Sequence, residues 1–403
     1  MKKRLEKLDR ILSFQRKKYF VKSFFRKAKR LVVDFIPLDE ISAEYLFETK
    51  SVERGKTSFS YGPAEFDTHQ KVVEIHLFPV KIYALKNVFC TTNASYFLSK
   101  DFKHIYFEKF HDDEKGIYLY SSKNLLWHGK NLAKVTNLEK FTHDIEAIFF
   151  GGTFTNNYYH FLIEIISKAK YLDKIPGSSS KTIILDQTIA QNSNLKTITE
   201  FFLKDYNLLF LSSNEYHHFS KLWFITSPNT TVPNIVEEEK YEVDFTKISA
   251  ESIYYLRDIC LQNFDSDKVK VQKIEKIFIA RKSTYRKYNE SELLLVAEKY
   301  GFIPVYFEDL NIHEQIFLLQ NADYVIGSSG AAFTNIIFAK EGSKGLIWLG
   351  SVWGEFSSFS TLAKLVGFNL YHYRFQSKTS DFHEDFEIDV KVFESEIKKL
   401  LKQ

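Results

Sequence analysis

Three segments of this chain place polar and charged side chains at spacings that can do chemistry. The first runs Gly151-Gly152-Thr153-Phe154-Thr155-Asn156-Asn157-Tyr158-Tyr159-His160-Phe161-Leu162-Ile163-Glu164. The glycines permit a tight turn, and Asn156 or Asn157 can cap a helix that follows it. Helical spacing then puts His160, Glu164 and Ser167 on one face and Leu162, Ile165, Ile166 and Ala169 on the other. A carboxylate one turn from an imidazole can tune it as a proton acceptor near neutral pH, which makes His160 the candidate base and Glu164 its orienting partner. The plain alternative is a solvated His-Glu pair on an amphipathic helix.

The second segment is Arg281 through Glu290, Arg-Lys-Ser-Thr-Tyr-Arg-Lys-Tyr-Asn-Glu. Arg281 and Arg286, with Lys282 and Lys287, offer guanidinium forks and ammonium groups that match phosphate oxygens, so a polyanion is the expected guest. Asn289 can cap the helix starting at Glu290. The third segment, Gly327-Ser328-Ser329-Gly330-Ala331-Ala332-Phe333-Thr334-Asn335, links a strand end to a helix start. Small residues there let backbone approach a ligand, and the amides of Ser329, Gly330 and Ala331 with the new helix dipole favour an anion. The pattern is neither a Walker loop nor the dinucleotide G-x-G-x-x-G.

The elements that must position these turns follow from hydrophobic periodicity. Residues 38–150 read as short strands, such as 72–78 and 145–150, separated by polar turns such as Asp112-Asp113-Glu114-Lys115-Gly116. A helix is expected over 157–172, then a strand at 182–185, a helix at 194–203 and a strand at 208–211. After a helix over 250–263, strands at 274–280, 303–307, 324–327, 345–349 and 370–373 alternate with helices at 290–300, 312–321, 331–339 and 358–366. Strands joined in this way lie parallel with right-handed crossovers, so the second half reads as Rossmann-like. Ligands of such layers bind beyond the carboxyl ends of the strands, where the second and third segments fall.

At 403 residues the chain has room for two or three domains, and 44% hydrophobic with 26% charged content is a globular balance. Two cysteines, Cys90 and Cys260, make neither a disulfide scaffold nor a thiolate zinc site, which suits a reducing compartment. No run approaches the roughly 18 apolar residues of a membrane span, and no secretory leader is evident, so a cytosolic protein is expected. Residues 1–30 hold thirteen Lys/Arg against Glu6 and Asp9, a net +11, while the remainder carries 42 basic against 49 acidic residues. Leu5, Leu8 and Leu12, then Phe20, Phe24, Ala28 and Leu31, recur at helical spacing within this arm. A basic amphipathic helix of this kind can lie on an anionic membrane surface, each basic residue adding about 1 kcal/mol of attraction. The acidic body argues against nucleic acid as a partner.

Together the three segments resemble glycosyltransferase family 61, whose members carry an N-Y-Y-H-[WF]-L-x-E-like helix, an R-x-x-x-x-R-x-x-N-E-like segment and an A-x-x-[VI]-G-x-H-G-A-x-x-T-N-like turn. Here these stand as Asn157 through Glu164, Arg281 through Glu290, and Ala322 through Asn335. Between the last two, Glu314-Gln315-Ile316 followed by Ala322-Asp323 is similar to the family's E-Q-x-x-x-[LF]-x-x-A-D stretch. The resemblance spans roughly residues 145–375 and departs from the pattern at Ser329, where His is usual, and at Ala332, where Gly is common. It implies an α/β chain of GT-B type, two Rossmann-like domains facing a cleft, with the basic helical arm added at the start. The domains are then an arm over 1–37, an acceptor-side α/β domain over 38–263, a nucleotide-sugar domain over 264–375, and a tail with a helix over 376–403.

The resemblance further implies an inverting, metal-independent sugar transfer in bacterial surface polysaccharide synthesis, capsule or lipopolysaccharide. A UDP-sugar is the expected co-substrate, with no cofactor, and the acceptor is an oligosaccharide or lipid-linked glycan. Combined with the arm, this places the enzyme on the inner face of the cytoplasmic membrane. His160 and Glu164 are then the catalytic pair, and Arg281, Arg286, Ser329, Gly330 and Ala331 hold the donor diphosphate. Asn157, Asn289, Glu290 and Asn335 are secondary cleft contacts. Two rivals use the same features differently: a polysaccharide pyruvyltransferase taking phosphoenolpyruvate, and an inactive membrane-associated scaffold whose cleft has degenerated at Ser329. Asp265-Ser266-Asp267 has the letters of a metal-binding Asp-x-Asp but sits among polar neighbours, and His217-His218 lacks a third ligand at suitable spacing, so no metal is expected.

Overall fold

The computed structural model describes residues 30–120, 122–236, 239–282, 286–379 and 381–403. Contacts divide the chain into two compact units: the described residues of Met1–Lys56 with Phe78–Glu239, and Thr57–Leu77 with Lys240–Gln403. The chain is of the mixed α/β class. Most of the basic arm, residues 1–29, lies outside the described residues, and so do Glu237 and Glu238 and the centre of the arginine segment, Ser283, Thr284 and Tyr285.

The first unit is built on a twelve-stranded mixed sheet among the described residues. Its order is Asn207–Leu211, Thr182–Asp186, Ala147–Phe149, Glu215–Ile225, Val80–Cys90, Tyr96–Ser99, His104–Phe107, Arg30–Pro37, Leu132–Thr136 and Leu125–His128. Glu139–His143 also pairs with Glu215–Ile225, and Leu46–Glu53 with Val80–Cys90. The pairs from Asn207–Leu211 to Glu215–Ile225 are parallel, because helical crossovers separate Ala147–Phe149, Thr182–Asp186 and Asn207–Leu211. Val80–Cys90, Tyr96–Ser99 and His104–Phe107 are joined by links too short for a crossover and run antiparallel. This unit therefore differs from the doubly wound parallel layer expected of a Rossmann-like domain. Its core packs Leu85, Val88, Phe97, Phe149, Phe219 and Phe224 against one another.

Two expectations change here. Arg30–Pro37, placed in the helical arm by the spacing of Leu31, is a strand paired parallel with His104–Phe107 and antiparallel with Leu132–Thr136. Its alternation, with Val33 and Phe35 buried and Val32 exposed, is the period-2 signal that a helical reading of the preceding residues overrides. The expected helix over 157–172 is irregular: a π-helical stretch, His160–Ile165, runs into a 3-10 stretch, Ile166–Lys174. Such widened turns occur frequently at functional sites.

Among the described residues the second unit carries a five-stranded, wholly parallel sheet in the order Ile303–Tyr306, Lys276–Ala280, Tyr324–Ser328, Lys344–Gly350, Asn369–Phe375. In chain order this is 2-1-3-4-5, so the winding reverses between Lys276–Ala280 and Tyr324–Ser328. The core joins Phe278, Ile326, Leu346 and Trp348 to Leu293, Val296 and Ala297 of helix Glu290–Lys299 and to Phe393, Ile397 and Leu400 of helix Val390–Lys402. The final helix is thus core and not an appended tail. Contacts also move the expected boundary near residue 264 to 239/240, because Arg257 on helix Ala250–Gln262 donates to the carbonyls of Ile337 and Ala339. The excursion Thr57–Leu77 belongs to this unit as well: Phe66 stacks on Tyr371 at 4.2 Å, and the Ala64 carbonyl accepts from the His372 amide at 2.6 Å. Among the described residues no helix is long and apolar enough to cross a membrane.

Candidate functional site

In the first unit, the turn after strand Ala147–Phe149 is held open by close packing. Gly151 has no space for a side chain, since a Cβ there would meet the Phe149 ring and the Thr92 carbonyl. Asn157 receives the Tyr159 amide at 2.9 Å and the His160 amide at 3.5 Å, so its side chain caps the helix start. His160 Nδ1 lies 2.8 Å from Oε2 of Glu164, and the Thr231 amide donates to Oε1 of the same carboxylate at 2.8 Å. Both oxygens of Glu164 are therefore committed. The imidazole is held with Nδ1 protonated, leaving Nε2 as the ring nitrogen able to accept a proton.

His160 and Glu164 line a cavity of about 670 Å³, counted with its open mouth, together with Glu108, Lys168, Ser227 and Thr231. Phe110 and Tyr120 supply aromatic surface at 4.1 Å from each other. Two charged groups here escape sequence reasoning. Lys168 is 1% exposed and donates to the Gly151 carbonyl at 3.0 Å, with the rings of Phe224 and Phe150 at 5.1 and 5.8 Å. Burial pulls its ammonium down to about 8, against the opposing pull of Glu108 and Glu164. Glu108 is buried too, and receives the Ser227 amide at 2.6 Å. Burial raises its carboxyl, Lys168 and the Ser227 amide oppose this, and Glu164 adds to it. Ser167, expected beside His160 and Glu164, is fully buried away from the cavity lining, and Lys168 takes the place it was expected to hold. The i, i+4, i+8 spacing of His160, Glu164 and Lys168 was a signal in the sequence; nothing local marked Glu108.

In the second unit, Arg281 follows strand Lys276–Ala280 and Gly330 follows Tyr324–Ser328, the two strands at the winding reversal where ligands of open parallel sheets bind. The Nη2 group of Arg281 donates to the carbonyls of Ser329 and, at 3.4 Å, Ser328. A Cβ on Gly330 would collide with that same nitrogen, so glycine is needed for the arginine to reach the turn. The Arg281 amide donates to Glu290 at 3.1 Å, and the Tyr288 hydroxyl donates to the same carboxylate. Burial lowers the Arg281 pKa, with Tyr288 and Glu290 opposing, which leaves a poorly hydrated cation beside a glycine turn.

The remaining expected residues take other places. Glu290 builds the turn from behind, and Asn289 leaves the helix uncapped by its side chain, exchanging hydrogen bonds with the backbone of Ile388 at 2.9 and 3.0 Å. Asn335 is 1% exposed and donates to Gln315 at 2.9 Å, which makes it a tie between two helices. Of the three amides expected at an anion seat, that of Ser329 is spent on the Trp348 carbonyl at 3.1 Å; Gly330 and Ala331 begin the 3-10 helix Ala331–Phe338. Arg286, at a positive φ of 55°, lies over the Trp353 ring at 5.3 Å, whereas Arg281 lies against Gly330. Asp265 caps its own turn by accepting from the Asp267 amide at 3.0 Å, and His217 contacts His143 at 3.1 Å and the Ser212 carbonyl at 2.9 Å.

Residues 158–346 match the family model described as glycosyltransferase 61. That span includes His160, Glu164, Lys168, Arg281, Gly330 and Asn335, and excludes Glu108. Comparison with curated proteins gave no match. The family match supports glycosyltransferase family 61 and, with it, a glycosyltransferase that takes a donor and an acceptor.

Proposed function

We propose that this chain transfers a sugar from a nucleotide-sugar donor, UDP-linked, to a hydroxyl of an oligosaccharide or lipid-linked glycan, inverting the anomeric centre in one displacement. The observation that carries this reading is Glu164, fixed by the Thr231 amide and in turn fixing His160 inside a cavity. The acceptor oxygen attacks the anomeric carbon, its proton passes to Nε2 of His160, and the bond from that carbon to the diphosphate oxygen breaks with its electron pair. Glu164 stabilises the imidazolium formed. In the second unit, Arg281 offers Nε and Nη1 to a diphosphate, since its Nη2 is spent on backbone carbonyls. Arg286, with the backbone at Gly330 and Ala331, completes the donor side.

A thermal-shift series over UDP, GDP, CMP and dTDP, each with and without EDTA, tests the donor side. UDP is expected to raise Tm in a saturable way, by the linkage of binding to folding, and EDTA is expected to leave the shift intact. Silence towards every nucleotide would remove the reading in favour of a scaffold. Stabilisation by phosphoenolpyruvate alone would favour pyruvyl transfer.

The setting proposed is bacterial capsule or lipopolysaccharide assembly, with the enzyme peripheral on the inner membrane face through residues 1–30. Thirteen basic residues in that segment support it. Full-length protein is expected to pellet with anionic liposomes and to be released as salt rises, because screened charge loses its attraction. Equal pelleting with neutral liposomes, or none with either, would count against membrane attachment.

A further inference from the structure

We propose that Lys168 and Glu108 are positioning residues: buried groups of opposite charge, lining the same cavity as His160 and Glu164, in which the Lys168 ammonium compensates the two carboxylates around the imidazole that accepts the proton. This inference rests on the reading of His160 as the base. Three independent features of the fold converge on it. Lys168 is anchored by the Gly151 carbonyl at 3.0 Å, so its ammonium cannot swing out to water. Glu108, at the end of strand His104–Phe107, is anchored by the Ser227 amide at 2.6 Å, and the Ser227 hydroxyl donates to the Glu164 carbonyl at 2.8 Å. All four charged or titratable groups line one cavity.

The charge arithmetic explains why the pair is there. Two carboxylates with no cation would hold a proton on the imidazole or on one another, since like charges in low dielectric cannot both stay ionised. A lysine placed among them offsets the charge of the two carboxylates. When the acceptor hydroxyl gives up its proton, the imidazolium then forms against a cluster that carries net negative charge. The groups facing Lys168 are Glu164 and His160 on its own helix, Glu108 from the strand side, the Gly151 carbonyl from the turn, and the uncharged rings of Phe150 and Phe224.

The sign of the pH dependence follows. Lys168 carries its charge below about pH 8 and loses it above, and Glu108 helps to hold the proton on. The test is NMR titration of the labelled His160 ring in the full chain, without any substrate, in wild type, Lys168→Met and Glu108→Gln. In wild type the His160 resonances are expected to show an inflection near pH 8 as the neighbouring ammonium is lost. Lys168→Met is expected to abolish that inflection, and Glu108→Gln to move it down by about one pH unit, because a stabilising anion has gone. An inflection that survives Lys168→Met, or one that Glu108→Gln leaves in place, overturns the proposal. Should the methionine variant fail to fold, the isosteric Glu108→Gln variant decides alone. Because no turnover is measured, a chain that proved inert as a transferase would still answer this question.

Discussion

His160→Ala is expected to lower turnover by about 100-fold or more, the contribution of a positioned general base, while leaving nucleotide affinity unchanged. The geometry makes the expectation specific. Glu164 spends one oxygen on the Thr231 amide and the other on Nδ1 of His160, so removing the ring leaves a half-buried carboxylate half satisfied but changes nothing in the second unit. His160→Gln can still donate to Glu164 but cannot accept a proton as imidazole does, so it should fold like wild type and turn over like the alanine variant. Glu164→Gln should fall between, because the ring persists without its orienting charge. Single-turnover rates with isothermal binding of the nucleotide separate these effects. A His160→Ala enzyme within about threefold of wild type, or one whose only defect is donor affinity, would show that the proton leaves by another route.

Arg281→Ala is expected to weaken nucleotide diphosphate binding by about 10- to 100-fold, the range for a lost charge-assisted hydrogen bond at about 1.5–3 kcal/mol. A second loss should accompany it. The carbonyls of Ser328 and Ser329 give up their common donor, and an unpaired buried acceptor costs about 1–3 kcal/mol, so Tm should fall too. Arg281→Lys separates the two effects: one ammonium can hold a carbonyl or a phosphate but cannot fork between them, so stability should recover more than affinity. Affinity that is unchanged in Arg281→Ala would remove the residue from the donor site and leave it a staple of the glycine turn. Arg286→Ala should weaken binding less than Arg281→Ala does, since Arg286 is stacked on the Trp353 ring.

The two clusters differ in how they could be read. Arg281 and Gly330 stand at the ends of strands in a regular strand-helix alternation, and such turns are brought side by side by parallel pairing itself. His160 and Glu164 sit one turn apart on one helix, a spacing that needs no tertiary information. Asn289 and Asn335 illustrate the limit of the same logic. Their residue types suit caps and ligand contacts, but only packing decided that one is tied to Ile388 and the other to Gln315. Glu108 marks the opposite limit, for it lies 52 residues before His160 in a strand-rich region with no motif around it.

Local chemistry, then, was determined by sequence alone: the α/β class, the parallel beat of the second half, and the residue types gathered at three turns. These follow from periodicity and turn propensity, which act over a few residues. Tertiary structure alone decided that Arg30–Pro37 enters a sheet, that Thr57–Leu77 joins the second unit, that the guanidinium of Arg281 reaches the Gly330 turn, and that Lys168 and Glu108 stand behind His160. The physical reason is that burial and charge compensation depend on which distant segments exclude water together, and no window along the chain carries that information.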